Sequence, residues 1–318
     1  MTAEKYTFPV TDGGFDAVFR EYRAIFEKQL RTVCDSFCDN GAKYKALYDA
    51  ASYSLEAGGK RIRPVLAFEM CRVCGGDIND AVPAAIAVEM IHTFSLIHDD
   101  LPCMDDDDMR RGRPSCHKAH GEAVALLAGD ALSAYAGKYI CDSDLPAEKK
   151  TAMIKELYDR TLGMIEGQTI DTDGKFDTLD GLLSMYEMKT SELLTAASVM
   201  GCIAAGADEE KISAARAYAH DVGLAFQIVD DILDITSTVE ELGKPIGSDA
   251  QQEKTTSVTL LGLDKARELA KKYTEGAEKA LSAFENNEFL CRLTDLLLNR
   301  KNCALASLTA LAMSGVTV

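Results

Sequence analysis

Between His98 and Arg113 the chain reads HDDLPCMDDDDMRRGR, and the twelve residues before it, Ile86 to Ile97 (IAVEMIHTFSLI), are mostly apolar. Six carboxylates (Asp99, Asp100, Asp105, Asp106, Asp107, Asp108) fall within ten positions, with Arg110, Arg111 and Arg113 directly behind them. A charge run by itself is ordinarily a solvated face. One that closes a buried helix holds carboxylates where mutual repulsion and burial resist their ionisation. Such a cluster requires a compensating cation. Hard divalent ions, Mg²⁺ above all, take oxygen ligands and bridge carboxylates to phosphates. Arginines beside them suit phosphate oxygens, through planar, charge-assisted pairs.

A second cluster lies more than a hundred residues later, as Phe226-Gln-Ile-Val-Asp230-Asp231-Ile-Leu-Asp234. Gln227, Asp230 and Asp234 are spaced three and four apart, so they share one helix face. The surrounding run Val222–Ile235 is apolar, and charges buried there must be paired or bind metal. Two carboxylate helices facing each other would form a clamp for several metal ions and a diphosphate.

The two clusters resemble the first and second aspartate-rich motifs of the trans-isoprenyl diphosphate synthases, the farnesyl and geranylgeranyl diphosphate synthase family. The first follows the DDxxxxD form (Asp99, Asp100, Asp105) and the second the FQxxDDxxD form. Further matches run from Gly58-Gly-Lys-Arg-Ile-Arg-Pro64 to Asn299-Arg-Lys301, nearly the whole chain. The resemblance is closest to the bacterial-type farnesyl enzymes.

The rest of the chain predicts helices. Phe15, Phe19, Tyr22, Phe26, Val33 and Phe37 recur at helical spacing, as do Tyr44, Leu47, Tyr48, Ala51 and Leu55. Asn40-Gly41 and Gly58-Gly59 separate these segments, Pro64 suits the first turn of a third, and a long helix begins near Pro83. Further helices are expected over 121–141, 147–169, 179–205, 208–235, 263–284 and 288–300. Period-two alternation is absent, so no strand is expected. No repeat or domain-scale linker interrupts the pattern. The expectation is one all-α domain over 1–318, a bundle of ten or more helices around a central cavity of the isoprenoid synthase type. Residues 1–11 are expected to be a loose tail, and the polar stretch 243–254 (GKPIGSDAQQEK) a lid.

Composition narrows the partners. A net charge of −17 disfavours nucleic acid and anionic membrane surfaces, while the local basic residues still admit an anionic substrate. Ten cysteines among 318 residues are too sparse for a disulfide scaffold. Cys71-x-x-Cys74 lacks the partner pair a zinc site needs. Free thiols in this number suit a reducing cytosol. With no basic start followed by an apolar core, and no uninterrupted apolar run of about 20 residues, the expectation is a soluble cytoplasmic protein without membrane insertion.

The resemblance implies condensation of isopentenyl diphosphate with allylic diphosphates, by ionisation, condensation and elimination. It implies three Mg²⁺ ions with substrate bound, Mn²⁺ being a substitute. Asp99 and Asp105 would ligate two and Asp230 the third, with Asp100, Asp231 and Asp234 nearby or bound through water. Arg110, Lys189 and Lys254 would hold the allylic diphosphate, with Lys244 on the lid as a further substrate contact. Lys60, Arg63, His92 and Arg111 would hold isopentenyl diphosphate without metal. Thr190, Gln227 and the Lys189 carbonyl would face the cationic carbon chain. Released diphosphate would take the final proton. Gly167-Gln168 and Asp171 match a further motif, GQxxD, with a supporting role. A homodimer is the family expectation.

Product length rests on Phe94, five before Asp99, followed by Ser95. Five residues turn a helical position by about 140°, so the wheel alone does not put Phe94 beneath Asp99; the resemblance does. An aromatic floor and the Pro102-Cys103 insertion imply the fifteen-carbon farnesyl product. The neighbouring EMIHTFSLIHDDLPCMD also resembles geranylgeranyl synthases, the alternative. Seventeen uncharged residues follow Lys301 (302–318), an extension beyond the family's usual end. Three other classes compete. A terpene cyclase has no use for the Lys60, Arg63 and His92 set, a non-catalytic regulatory subunit usually lacks one aspartate motif, and a Ca²⁺ loop needs a glycine and a terminal glutamate that Asp99–Arg110 lacks.

Overall fold

The computed structural model describes residues 5–9, 14–38, 44–236 and 254–298. Lys244 with most of the 243–254 stretch, Asn299–Lys301 and the extension 302–318 lie outside the described residues. The elements in chain order are α1 (Phe15–Cys38), α2 (Lys45–Leu55), α3 (Ile62–Val73), α4 (Ile78–Asp99), a two-residue ribbon β1 (Met109–Arg110) and β2 (Arg113–Pro114), then α5 (Cys116–His120), α6 (Glu122–Asp142), α7 (Ala147–Asp173) and α8 (Leu179–Tyr186). A π-helical turn (Glu187–Ser191) joins α8 to α9 (Glu192–Ala205), and α10 (Glu209–Thr236), α11 (Ser257–Leu261), α12 (Leu263–Leu281) and α13 (Glu288–Leu298) complete the order. The all-α expectation holds.

Helix α4 is the axis of the bundle. Asp77 caps it by accepting from the Asn79 amide, so it starts five residues before the expected Pro83. Alanine and β-branched residues fill it, and every position from Ala81 to Phe94 except His92 is buried. By length and composition it could cross a membrane, yet 78% of the relevant window lies inside the protein. It packs against α3, α6 and α9. A helix apolar on all sides is a core helix, and each large aliphatic side chain it buries stabilises the fold by about 1.5–3 kcal/mol.

Two apolar clusters form the core. The larger joins α1–α4, α6, α7, α9 and α13 with one face of α10 and the end of α12, and the smaller joins α8 to the rest of α10 and α12 beside the second aspartate motif. Three expectations are corrected. Tyr6 exchanges backbone–side-chain hydrogen bonds with Asn79 (2.8 and 2.9 Å), and Phe8 packs on the core, so residues 5–9 are docked. The single helix expected over 179–205 is broken by the π turn. A short antiparallel ladder, Met109 with Pro114 and Arg110 with Arg113, stands where no strand was expected. Arg113 stacks on Tyr53 at 3.7 Å and the Tyr53 hydroxyl donates to the Pro114 carbonyl at 2.7 Å, which fastens that hairpin to α2.

Candidate active site

Where α4 ends, the chain curls back on itself. The Asp105 amide donates to the Asp99 carbonyl (2.8 Å), and the Met104 and Asp106 amides donate to the Leu101 carbonyl. The Pro102-Cys103 insertion is absorbed in this turn, which returns Asp105 to the neighbourhood of Asp99. Burial, with the Asp105 and Asp100 charges adding to it, pushes the Asp99 carboxyl up to about 6 against the pull of Lys189 and Arg110. Asp100 turns the other way. It is buried and accepts from Arg110 Nε (2.8 Å) and Nη2, while Arg110 also donates to Asp107 (3.0 Å). The adjacent aspartates therefore differ: Asp99 lines a cavity, and Asp100 anchors the hairpin that carries Arg110.

That cavity measures about 680 Å³ and is lined by Asp99, Lys189, Thr190, Arg63, His92 and Phe94, with Ser95 beside Phe94. Its volume lies within the range of ligand pockets. Lys189 and Thr190 sit on the π turn. Gly223 of α10 presses against it so closely that a Cβ would lie 2.1 Å from Ser191 Oγ. One helical turn beyond Gly223, Gln227 donates to Thr190 Oγ1 at 2.5 Å. Lys189 Nζ lies 2.5 Å from Asp171, and Lys254 approaches the same carboxylate at 4.0 Å. Asp171 thus gathers both lysines, which gives the GQxxD motif a role the sequence left open.

The three aspartates of α10 also separate. Asp231 is buried and accepts through one oxygen from the Tyr186 hydroxyl (2.7 Å), the Ser257 amide (2.7 Å) and the Ser257 hydroxyl (2.6 Å). Through that oxygen it ties α8 and α11 to α10. Asp234 is buried and Asp230 is half-buried, three residues beyond Gln227.

On the opposite wall of the cavity the charge reverses. Arg63 keeps its Nε shielded from water with no hydrogen-bond partner among the described residues, as a site prepared for an anion would. Burial, then Arg63, Arg111, Arg61 and Arg110, hold His92 well below its ordinary value of 6.5. Those surroundings favour the neutral form of His92, as a hydrogen-bond donor or acceptor. Arg111 donates to the Gly58 carbonyl, and Lys60 is exposed at the entry to α3. Asp105, Asp230, Asp234, Lys60, Arg110, Arg111 and Lys254 lie outside the cavity lining itself.

The donor set suits a divalent cation: a carboxylate raised by burial and by two neighbouring acids gains most from one. A further group of possible ligand atoms, from Asp106, Asp108 and His117, lies within 4.8 Å. Lys118 already stands 2.7 Å from Asp108 there. Sequence reasoning missed Tyr186, Ser257, Arg61 and Glu89, all of which act through buried partners that no spacing rule reveals.

A helical bundle that sets an acidic cluster and a guanidinium wall around one apolar-floored cavity has the architecture of the isoprenoid synthases. Residues 44–287 match the polyprenyl synthetase family. The chain is 44% identical to a geranylgeranyl diphosphate synthase of Cyanophora paradoxa, over 80% of this chain and 88% of that one. It is 42% identical to the heterodimeric geranylgeranyl pyrophosphate synthase large subunit 2 of Arabidopsis thaliana, over 92% of this chain and 80% of that one. The crystal structure of a geranyltransferase from Legionella pneumophila superposes with a TM-score of 0.79 at 33% identity, covering 90% and 98% of the two chains. The chain belongs to the polyprenyl synthetase family. It is a prenyl diphosphate synthase, a transferase that acts on isoprenyl diphosphates.

Proposed function

We propose that this chain is a geranylgeranyl diphosphate synthase, extending allylic diphosphates with isopentenyl diphosphate to twenty carbons. The observation that carries this reading is its 44% identity, over 80% of the chain, to a geranylgeranyl synthase. The farnesyl product expected from the sequence is the second reading, supported by Phe94, which is 8% exposed in the cavity wall and meets His98 edge-on at 5.2 Å.

Asp99, Asp105 and Asp230 would hold Mg²⁺, which when bound neutralises charge on a departing diphosphate. Lys189 and Lys254, gathered by Asp171, bind that diphosphate from the side. Arg63, Arg111 and Lys60 bind the second diphosphate as guanidinium and ammonium groups, and His92 adds a neutral hydrogen bond. No metal is needed on that wall, so isopentenyl diphosphate is bound without being ionised. Thr190 and Gln227 present oxygens to the cationic carbon chain and are too weakly nucleophilic to trap it. Arg110, paired with Asp100 and Asp107, organises the hairpin before it meets substrate. Leu126 and Leu127 on α6, with Leu162 on α7, are exposed, and we assign these apolar side chains to a homodimer contact.

Product analysis tests the reading. Purified protein is given Mg²⁺, isopentenyl diphosphate and, separately, the five-, ten- and fifteen-carbon primers. Extension of the fifteen-carbon primer to twenty carbons is expected; a fifteen-carbon product that goes no further establishes the farnesyl reading instead. Phe94→Ala should lengthen the product in either case, and an unchanged product pattern removes Phe94 from the floor.

A further inference from the structure

Four guanidinium groups, those of Arg61, Arg63, Arg110 and Arg111, act on His92, and one of them is unavailable to any substrate. Arg61 has a fully buried side chain whose donors are all directed into the protein. Its Nε lies 2.8 Å from Glu27, its Nη1 lies 2.7 Å from Glu89, and its Nη2 donates to the Leu55 carbonyl at 2.7 Å. Its backbone is left-handed (φ 55°) at the entry to α3, a conformation non-glycine residues seldom adopt. Something must hold it there.

The geometry around it shows what is being held. Lys60 on one side is exposed and Arg63 on the other lines the cavity. The loop before them is fastened at two carbonyls: Leu55 by Arg61 and Gly58 by Arg111. The Arg111 guanidinium also lies 2.9 Å from where a Cβ on Gly59 would stand, so the loop and Arg111 are fitted to each other. Glu89 is 2% exposed and stands one turn before His92 on α4. Burial lowers both Arg63 and Arg111, and in each case Glu89 is the leading influence that raises them again. One carboxylate thus fixes the loop through Arg61 and offsets the crowding of the Arg63 and Arg111 guanidiniums.

We infer that Arg61 and Glu89 are positioning residues for the metal-free diphosphate site: their buried pair sets the spacing of Lys60, Arg63 and Arg111 before substrate arrives. The inference rests on assigning those three side chains and His92 to isopentenyl diphosphate. It predicts selectivity. A scaffold pair lowers turnover and stability together, whereas a pair that sets one site raises KM for one substrate.

The test compares the full-length wild type with Glu89→Gln and Arg61→Lys. Initial rates are measured with each substrate varied at saturation of the other, and metal-free binding of inorganic pyrophosphate is measured by calorimetry in EDTA. Expected are a rise of about tenfold or more in KM for isopentenyl diphosphate and a matching loss of metal-free pyrophosphate affinity, with KM for the allylic primer and kcat within about threefold. Glu27→Gln, at the part-exposed end of the network, should show the same split at about two- to fivefold and serves if the buried variants do not fold. Equal losses for both substrates, or a fall in kcat alone, overturn the inference and leave a scaffold pair. A wild type that condenses nothing overturns the underlying assignment instead.

Discussion

Asp99 and His92 stand seven residues apart on one helix and line one cavity, yet their environments displace them in opposite directions. Burial and neighbouring acids raise Asp99 to about 6; burial and neighbouring guanidiniums press His92 far down. At the acidic end, Lys189 and Arg110 offset only part of the cost of burial and repulsion, and a cation completes the site. On the basic wall the excess positive charge is already moderated by Glu89, so the wall can wait for an anion. One site is therefore assembled by its ions, and the other is built in advance. The contrast matches the chemistry of the family, in which one diphosphate must depart and the other must stay.

The largest effect should come from the end that depends on ions. Asp99→Asn should lower kcat by about 10²–10³, measured by product formation at saturating Mg²⁺, and chelation with EDTA should abolish turnover of the wild type. A variant within threefold of wild type would remove Asp99 from the metal set and collapse the contrast.

The basic wall should respond more mildly. Because His92 is neutral, His92→Gln keeps a hydrogen-bonding group and should raise KM for isopentenyl diphosphate by only about three- to fivefold, the loss of about 1 kcal/mol. That KM should also show no inflection between pH 5.5 and 8 from His92. An inflection that disappears in His92→Gln would show that the imidazole is charged after all.

Stability offers a finer test. Asp99 has a folded value above its ordinary 3.8, so its contribution is favourable while it is protonated and is lost as pH rises from about 4 through 6. Metal-free wild type should therefore lose melting temperature relative to Asp99→Asn across that window, and Mg²⁺ should restore it above pH 6. Parallel melting curves for the two proteins would contradict the raised value. The smallest effect belongs to the buried hydrogen-bond cluster around Asp231. Tyr186→Phe leaves Asp231 its two Ser257 donors and should cost about 1–2 kcal/mol of stability with product formation within twofold.

Much of this contrast was legible before any coordinates. The two aspartate clusters and their helices follow from spacing, and the set Lys60, Arg63, His92 and Arg111 from the family resemblance. What spacing could not supply was division of labour between neighbours. Asp99 and Asp100 are the same residue in adjacent positions, and only the hairpin that folds Arg110 against Asp100 separates a cavity carboxylate from an anchor. Asp231 is likewise removed from its motif by donors from 45 and 26 residues away. The charge state of His92 depends on its burial and on arginines drawn from two other segments, 61–63 and 110–111. The product length was read from Phe94 and the Pro102-Cys103 insertion, whereas the related synthases favour one more isoprene unit.

The π turn at Glu187–Ser191 has a consequence for how this family's sequences can change. A π turn carries one residue more than the α-helix it interrupts, and its wider turn takes that residue up, so the flanking helices keep the faces a continuous helix would give them. Removing one residue there would leave the buried face of α9 in the core and tighten the turn itself. The loss would fall on Lys189 and Thr190, which line the cavity from that turn. A single-residue deletion within Glu187–Ser191 should therefore spare the fold and spoil the site.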